Sequence, residues 1–264
     1  MASSHFVMQG KGGVGKSVVA SLLFQFFQKR GFEVFGCDTD PVNSSFAAYN
    51  NVEAKILDIM EGDDIAPGRF DEIIDYIFTL PENSRLVVDI GASCFVALCS
   101  YLKKNEALDY LRQNGHEVTI HTVITGGPAM LETLNNLRAL ARHFYDVPLV
   151  VWLNTFFGEI SLDGETFENF KVYREVAASV KAVVEMPKLS ELFQRSFSEM
   201  LARHGTFEES LINPETSFMG RHRLNKIWQD YQDLLDQARL VPEPMATLTL
   251  FPAREAPLSE DGLS

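Results

Sequence analysis

A glycine-rich stretch near the N-terminus constrains the fold of this chain more than any other feature. Residues 10–17 have the sequence GKGGVGKS and fit the phosphate-loop pattern G-x-x-x-x-G-K-[ST] at every defined position. Glycines allow successive backbone N–H groups to turn inward around a phosphate, where larger side chains would occupy the space that the oxygens need. The pattern therefore predicts a loop that binds the phosphates of a nucleotide.

The flanking residues supply the context that such a loop requires. The apolar run 5–9 precedes the loop and predicts a strand, and 18–27 follows it and is rich in good helix formers. A glycine-rich turn that matched the pattern by chance would not be expected to have this strand-loop-helix order.

Particular roles follow from the general pattern. Lys16 is expected to place its charge on the β- and γ-phosphates, and the Ser17 hydroxyl is expected to bind Mg²⁺. The residues expected to hold the phosphates are Gly12, Gly13, Val14, Gly15, Lys16 and Ser17.

Two acidic motifs follow at the ends of predicted strands, D-T-D-P at 38–41 and V-V-D-I-G at 87–91. In a parallel sheet with right-handed crossovers, both motifs reach the same edge as the phosphate loop. The second motif is the Walker B arrangement, in which Asp89 holds a magnesium-bound water. Carboxylates at Asp38 and Asp40 have a use around magnesium and an attacking water. Ordinary turn chemistry is the alternative for this first motif, since Asp and Pro are common turn formers.

The order of the predicted elements defines the fold class. Strands that are nearly continuous in apolar residues alternate with helices, which predicts a mostly parallel sheet covered by helices on both faces. The expected fold is an α/β, three-layer P-loop NTPase domain, formed as one domain by residues 1–240. Residues 51–80 are predicted to be an acidic, solvated connector with an outer helix at 70–80. Residues 241–264, rich in prolines and acids, are predicted to be a disordered tail.

The second half of the chain supplies further elements. Residues 95–111 are predicted to form one helix, a buried strand ends at Asn154, and the last strand ends just before Pro187. An amphipathic terminal helix is predicted over about 219–240. His121, in a predicted strand with no partners at ligand spacing, is interpreted as structural.

Composition limits the partners and the compartment. A formal net charge of −13 argues against strong DNA binding, which depends on many Lys and Arg contacts to phosphate. The local basic cluster, Arg221–Arg223 with Lys226, is interpreted as a solvated helix face, with a nucleic-acid contact as the alternative. No apolar run is long enough to cross a bilayer and no leader precedes the loop, so we expect a cytoplasmic protein without membrane insertion. Three cysteines without a secretory signal indicate buried thiols.

A second lysine beside the glycines, Lys11, gives the sequence K-G-G-V-G-K-S. This resembles the deviant phosphate loop of the ParA/MinD family, in which the extra lysine reaches across a dimer interface to the nucleotide of the other subunit. The resemblance implies that Lys11, Lys16 and Asp40 act in catalysis, with Asp40 positioning the attacking water. It also implies that Asp38 supports the metal shell. Spacing alone does not distinguish this role of Lys11 from that of a solvated surface lysine.

The same resemblance implies the base site, the cofactors and the assembly. Asn154 corresponds to the asparagine that contacts the adenine, and Pro187 lies in the turn that borders the base. For Asn154, an ordinary cap after a strand is an equal alternative. The implied cofactors are ATP and Mg²⁺, and the implied assembly is an ATP-dependent homodimer.

Other stretches, among them D-T-D-P-V-N, I-M-E-G-D-D-I and V-V-W-L-N, resemble conjugal transfer proteins within the family. This implies a slowly hydrolysing nucleotide switch that assists conjugative DNA transfer together with an unidentified protein of the conjugation machinery. A plasmid partition or positioning ATPase is the first alternative. A biosynthetic ligase is the second, and it would need a basic substrate pocket that the sequence does not indicate.

Overall fold

The computed structural model describes residues 1–40, 44–62 and 64–241. The strands are β1 Ser3–Val7, β2 Val34–Asp38, β3 Ala54–Ile56, β4 Met60–Glu61, β5 Asp64–Ile65, β6 Arg85–Asp89, β7 Glu117–Thr125, β8 Leu149–Asn154, β9 Ser161–Leu162, β10 Glu165–Thr166 and β11 Val180–Glu185. The α-helices are α1 Lys16–Lys29, α2 Asp71–Thr79, α3 Phe95–Lys104, α4 Ala107–Gln113, α5 Met130–His143, α6 Lys171–Val176, α7 Glu191–Ala202, α8 Phe207–Ile212 and α9 Phe218–Gln237.

Seven strands form one sheet in the order β11-β8-β7-β1-β6-β2-β3, and every pair in it is parallel. The register places Asp89 of β6 opposite both Val7 of β1 and Asp38 of β2. Because β1 leads into the phosphate loop, this register brings the loop and both acidic motifs to one edge of the sheet. Ligands of parallel α/β sheets bind at this carboxyl edge.

Both faces of the sheet are buried. Alternate strand residues face opposite sides, so Phe6 and Val88 pack in one apolar cluster while Val7 and Val87 pack in another. Helices α2 to α6 cover the first face, and α1, α7, α8 and α9 cover the second. The predicted three-layer P-loop fold with a parallel sheet is confirmed.

Helix α1 is buried on nearly all sides because α9 packs over it. Leu22, Leu23 and Phe24 are at most 2% exposed. The helix ends after Lys29, and Gly31 follows in a left-handed conformation with φ of 82°. At the C-terminal ends of α1 and α9, Arg30 forms an ion pair with Asp236.

Two predictions about the elements were wrong. Part of the connector forms β3, an edge strand paired with β2, and a three-residue strand is too short for periodicity to reveal. The predicted helix 95–111 is two helices, since Glu106 adopts a left-handed conformation with φ of 48° and turns the chain between α3 and α4. Pro41, the last residue of the first acidic motif, and residues 42 and 43 lie outside the described residues, as does the predicted tail apart from Val241.

Candidate nucleotide-binding site

The phosphate loop leaves β1 at Met8 and enters α1 at Lys16. Gly13 and Gly15 have φ of 74° and 101°, values that other residues rarely adopt. A Cβ atom on Gly15 would also lie 3.1 Å from Nδ2 of Asn154. Because Gly15 is the N-cap of α1, the loop and the free N–H groups of the first helical turn together form an anion site.

Lys16 supplies a buried cation to this site. Lys16 is 8% exposed, and its Nζ donates a 3.3 Å hydrogen bond to the carbonyl oxygen of Lys11. Burial lowers the pKa of the ammonium, and the carboxylates of Asp89 and Asp40 oppose this effect. A cation that has lost water gains more from a nearby phosphate than a solvated one, because its charge is less screened.

Ser17 joins the phosphate loop to the end of β6. Its Oγ donates a 2.6 Å hydrogen bond to Oδ2 of Asp89. The other oxygen, Oδ1, is buried and has no hydrogen-bond partner among the described residues. Burial raises the pKa of Asp89 to about 7, and the hydrogen bond from Ser17 opposes the increase. A bound cation would stabilise the carboxylate and lower this pKa.

The donor set of Ser17 and Asp89 fits magnesium that is bound together with a nucleotide. In the described part of the chain, no group of three or more His, Cys, Asp or Glu residues could hold a metal ion. Mg²⁺ typically uses one or two protein carboxylates and takes its remaining ligands from phosphates and water. The unused oxygen of Asp89 beside a hydroxyl matches that requirement.

Asp38 holds the loop that follows β2. Its Oδ1 accepts the N–H of Asp40, and its Oδ2 accepts the N–H groups of Phe46 and Ala47, each at 3.0 Å. Burial raises the pKa of Asp38, and the three backbone hydrogen bonds oppose the increase. Three of the roughly four acceptor positions of this carboxylate are used within the chain. The geometry therefore shows Asp38 fixing the loop that carries Asp40, and its contact with a metal shell stays a prediction.

Asp40 lies against the loop that follows β6. A Cβ atom on Gly91 would be 2.9 Å from the Cα of Asp40 and 3.2 Å from its Cγ. Only glycine at position 91 leaves room for Asp40 at this distance. The glycine of the Walker B motif thus sets the position of the carboxylate in the neighbouring motif.

Two adjoining cavities lie along this edge. The phosphate cavity, of about 690 Å³, is lined by Lys16, Asp40 and Asp89 among others. The base cavity, of about 460 Å³, is lined by Asn154 and Pro187. Residues that line both cavities are Gly13, Gly15, Val18 and Leu201. The pair fits the phosphates and the base of one nucleotide on the two sides of the loop.

Asn154 anchors the phosphate loop from the end of β8. Its Nδ2 donates a 2.9 Å hydrogen bond to the carbonyl oxygen of Val14, and its Oδ1 accepts the N–H of Phe156 at 3.1 Å. The side chain therefore caps the short 3₁₀ turn Thr155–Phe157, as the structural alternative predicted. Its contact with a base, and that of Pro187, stay predictions.

Sequence reasoning missed two aromatic residues of the base cavity. Phe156 and Phe157 line it and are 61% and 51% exposed, with ring centroids 4.9 Å apart in an edge-to-face arrangement. Exposed aromatic faces stack favourably on nucleobases. The signal was available in the sequence, as a pair of aromatic residues one position after the end of a buried strand.

Tyr49 and His204 are two further residues that the sequence analysis missed. Both line the phosphate cavity, and their rings meet edge-to-face with centroids 5.8 Å apart. The N–H of Asn50 also donates to the carbonyl oxygen of His204 at 2.8 Å. These contacts join the loop after β2 to the turn between α7 and α8. No local pattern indicates a pairing of segments so far apart in the sequence.

Lys11 lines neither cavity. Its Nζ lies 3.0 Å from Oε2 of Glu132 in α5, and both side chains are about half exposed. The ammonium of Lys11 is thus paired with α5 and does not line the phosphate cavity of its own chain.

The basic cluster in α9 makes contacts within the chain. Arg221 donates to the carbonyl oxygen of Thr216, Arg223 donates to Oγ of Ser196, and Lys226 forms an ion pair with Asp230. The three cysteines are buried free thiols. No helix in the described ranges has the length and apolar character needed to cross a membrane.

This fold and site define a nucleotide-binding protein of the P-loop NTPase class. The sequence model of the CobQ/CobB/MinD/ParA nucleotide binding domain matches residues 5–202, and the chain belongs to this family. The resemblance to ParA/MinD proteins inferred from the deviant loop is confirmed.

Sequence comparison also finds relatives named Protein TraL in Escherichia coli. One is 39% identical over 243 residues, which cover 91% of this chain and 100% of the relative. A second is 39% identical over 226 residues and covers 85% of this chain and 93% of the relative. The chain is therefore similar to Protein TraL over most of its length, and the narrower resemblance within the family is confirmed at the level of sequence.

Solved structures with the same fold include two MinD proteins. The MinD cell division protein of Aquifex aeolicus has a TM-score of 0.52 and 13% identity, and covers 89% of this chain and 97% of that one. The septum site-determining protein MinD of Pyrococcus horikoshii OT3, complexed with Mg-ADP, has a TM-score of 0.51 and 12% identity. The match covers 91% of this chain and 100% of that one. At these identities the likeness shows the fold alone.

Proposed function

We propose that this protein is a magnesium-dependent ATPase that hydrolyses ATP slowly and acts as a nucleotide switch. The observation that carries the proposal is the phosphate cavity, where the phosphate loop and both acidic motifs line one space. The anion site at the start of α1 and the buried cation of Lys16 suit a polyphosphate. The Mg-ADP in the P. horikoshii relative supports the choice of cofactor.

The proposed chemistry is positioning and electrostatic stabilisation. Lys16 and the loop amides bind the phosphates, and Ser17 and Asp89 hold Mg²⁺, which neutralises phosphate charge. Asp40 orients the attacking water. Asp38 keeps Asp40 in place through its three backbone hydrogen bonds.

The base cavity supports a nucleotide with a stacked base. Asn154 and Pro187 border the base, and Phe156 and Phe157 offer ring faces at the rim. Asn154 also holds the phosphate loop through Val14, so the positions of the base and phosphate sites depend on one side chain.

We also propose that two copies dimerise around ATP, each donating Lys11 to the nucleotide of the other. Large apolar side chains are exposed at the start of the helices that follow the carboxyl edge, with Val96 at 76% and Leu131 at 61%. Together with Phe156 they place exposed apolar surface beside the site, as an interface between copies requires. The ammonium of Lys11 lies at this edge, outside its own phosphate cavity.

The biological role that we propose is assistance of conjugative DNA transfer through a protein partner. Support comes from the similarity to Protein TraL over nearly the whole chain. The net charge of −13 disfavours direct binding to DNA, on which a partition ATPase of the ParA type would depend.

Affinity capture in two nucleotide states tests this role. The immobilised protein is loaded with ADP or with a non-hydrolysable ATP analogue and exposed to extract from cells that carry a conjugative plasmid. Retention of a relaxase or transfer-channel protein in the ATP state alone supports the proposal, because a switch must bind its partner differently in its two states. Retention of DNA in the ATP state, without a transfer protein, supports the partition alternative and contradicts the proposal.

A further inference from the structure

The first two turns of α5 contact the side chain of Lys11 directly and its backbone through Gln9. Its ammonium lies 3.0 Å from Oε2 of Glu132. Its backbone N–H donates to Oε1 of Gln9 at 3.4 Å, and the same oxygen accepts a hydrogen bond from Asn136. Gln9 Nε2 in turn donates to the carbonyl oxygen of Thr133 at 3.4 Å. Helix α5 therefore holds both the backbone and the side chain of Lys11.

These two sets of contacts differ in strength. Gln9 is fully buried, and its Nε2 also donates to the carbonyl oxygen of Val123 at 2.9 Å. Buried hydrogen bonds of this kind resist rearrangement, because a group that loses its partner does not regain water. The Lys11–Glu132 pair is about half exposed and is screened by solvent and salt. The backbone of Lys11 is thus tied to a buried side chain, while among the described residues its ammonium is held by one exposed ion pair.

We propose that Glu132 is a positioning residue for Lys11. It holds the ammonium on the protein's own α5 and releases it when a second copy presents a nucleotide. This rests on the proposed function, in which Lys11 contacts the nucleotide of the other subunit. Glu132 is the only carboxylate within 4.0 Å of Lys11 Nζ among the described residues, so it alone competes with the phosphates of a second copy.

The size of the effect follows from the strength of exposed ion pairs. Two such pairs are released in each dimer, and removing them strengthens dimerisation by about two- to thirtyfold. The effect depends on charge alone, so salt suppresses it. It also depends on Lys11, so it is absent when Lys11 is replaced.

The test measures the dimer dissociation constant by sedimentation equilibrium with Mg²⁺ and a non-hydrolysable ATP analogue. The proteins are the wild type, Glu132→Gln, the double variant Lys11→Ala with Glu132→Gln, and Lys11→Ala. The matched control is Glu175→Gln, which removes the same charge. Glu175 lies in α6 and forms a 2.8 Å ion pair with Arg138, a residue of α5 that lies away from the phosphate loop. Each is measured at low salt and at about 1 M salt, where the Debye length is about 3 Å.

We expect Glu132→Gln to dimerise about two- to thirtyfold more tightly than the wild type at low salt and equally at high salt. Glu175→Gln behaves as the wild type, and Lys11→Ala stays monomeric with or without Glu132→Gln. Unchanged or weaker dimerisation of Glu132→Gln at low salt overturns the inference while leaving the proposed dimer intact. Recovery of dimerisation when Glu132→Gln is added to Lys11→Ala also overturns it. If no variant dimerises, both the inference and the proposed switch fail.

Discussion

Nε1 of Trp152 donates a 3.1 Å hydrogen bond to Nδ1 of His121 in the centre of the sheet. Because an indole N–H only donates, His121 carries its proton on Nε2 and donates it to Nδ1 of His5 at 3.0 Å. His5 then donates from Nε2 to Oγ of Ser3 at 3.4 Å. One chain of hydrogen bonds, with both histidines neutral, thus crosses β8, β7 and β1, the strand that leads to the phosphate loop.

This chain predicts that the protein loses stability in mild acid. Burial lowers the pKa of His121 to about 3 and also lowers the pKa of His5. In the unfolded state both titrate near the ordinary pKa of about 6.5, so below that pH the unfolded state binds more protons. Stability is fully present above about pH 6.5 and falls below it, by roughly 1 kcal/mol per histidine for each pH unit.

Urea unfolding between about pH 7.5 and 5 measures this slope. The comparison is His121→Gln, in which the amide keeps one acceptor for Trp152 and one donor for His5 but does not titrate. We expect a shallower fall of unfolding free energy with decreasing pH in the variant. Equal slopes in the two proteins would show that these histidines do not set the acid sensitivity.

Lys16→Ala should remove tight nucleotide binding, because it deletes the buried cation while the loop amides stay in place. The expected loss is about 2 to 3 kcal/mol, or roughly 30- to 150-fold in affinity. Calorimetric titration with ATP and Mg²⁺ measures it, with Lys29→Ala, at the exposed end of the same helix, as the control. Equal affinities for the wild type and Lys16→Ala would rule out this loop as the phosphate site.

Asp40→Ala should keep ATP binding and lose hydrolysis, since the carboxylate orients the water and the phosphates are held by other groups. ATP should then accumulate on the dimer. Phosphate release and ATP affinity are measured on the same preparation. Hydrolysis at the wild-type rate would show that Asp40 has no role with the water.

Asn154→Ala should weaken binding of ATP and GTP by similar factors. Both polar atoms of the Asn154 side chain bind the chain itself, at Val14 and Phe156, so its removal disturbs the loop whatever the base. The control is Asn114→Ala, which removes a 2.8 Å bond to Tyr110 on the exposed end of α4. A loss confined to ATP would instead identify Asn154 as the residue that contacts adenine.

The parts of the site that the sequence predicted are those whose geometry is local. A phosphate loop needs its glycines and lysine within one turn. Asp38 and Asp89 are the last residues of β2 and β6, and the parallel pairing of these strands places the two residues opposite each other. The alternation of helices with strands that are nearly continuous in apolar residues likewise predicted the three layers. In each case the motif itself is visible in one stretch of sequence, and the rule for parallel sheets with right-handed crossovers brings the strand ends to one edge.

The parts that escaped prediction depend on contacts between distant segments. Tyr49 meets His204, and Lys11 pairs with Glu132, only because the folded chain brings separate loops together. The backbone conformation of Glu106, which divides α3 from α4, has no glycine or proline to signal it. Packing decided these features, and propensity gave no indication of them.

The measurement that tests the account most directly is light scattering of the wild type and Lys11→Ala with ADP and with a non-hydrolysable ATP analogue. We predict that the analogue dimerises the wild type and ADP does not. Lys11→Ala should bind the analogue and remain monomeric, because each lost charge-assisted contact is worth about 2 kcal/mol or more, roughly 30-fold. Lys29→Ala, with the same change of charge, should dimerise as the wild type does. If the analogue dimerises the wild type and Lys11→Ala equally, or dimerises neither protein, the proposed nucleotide switch is contradicted.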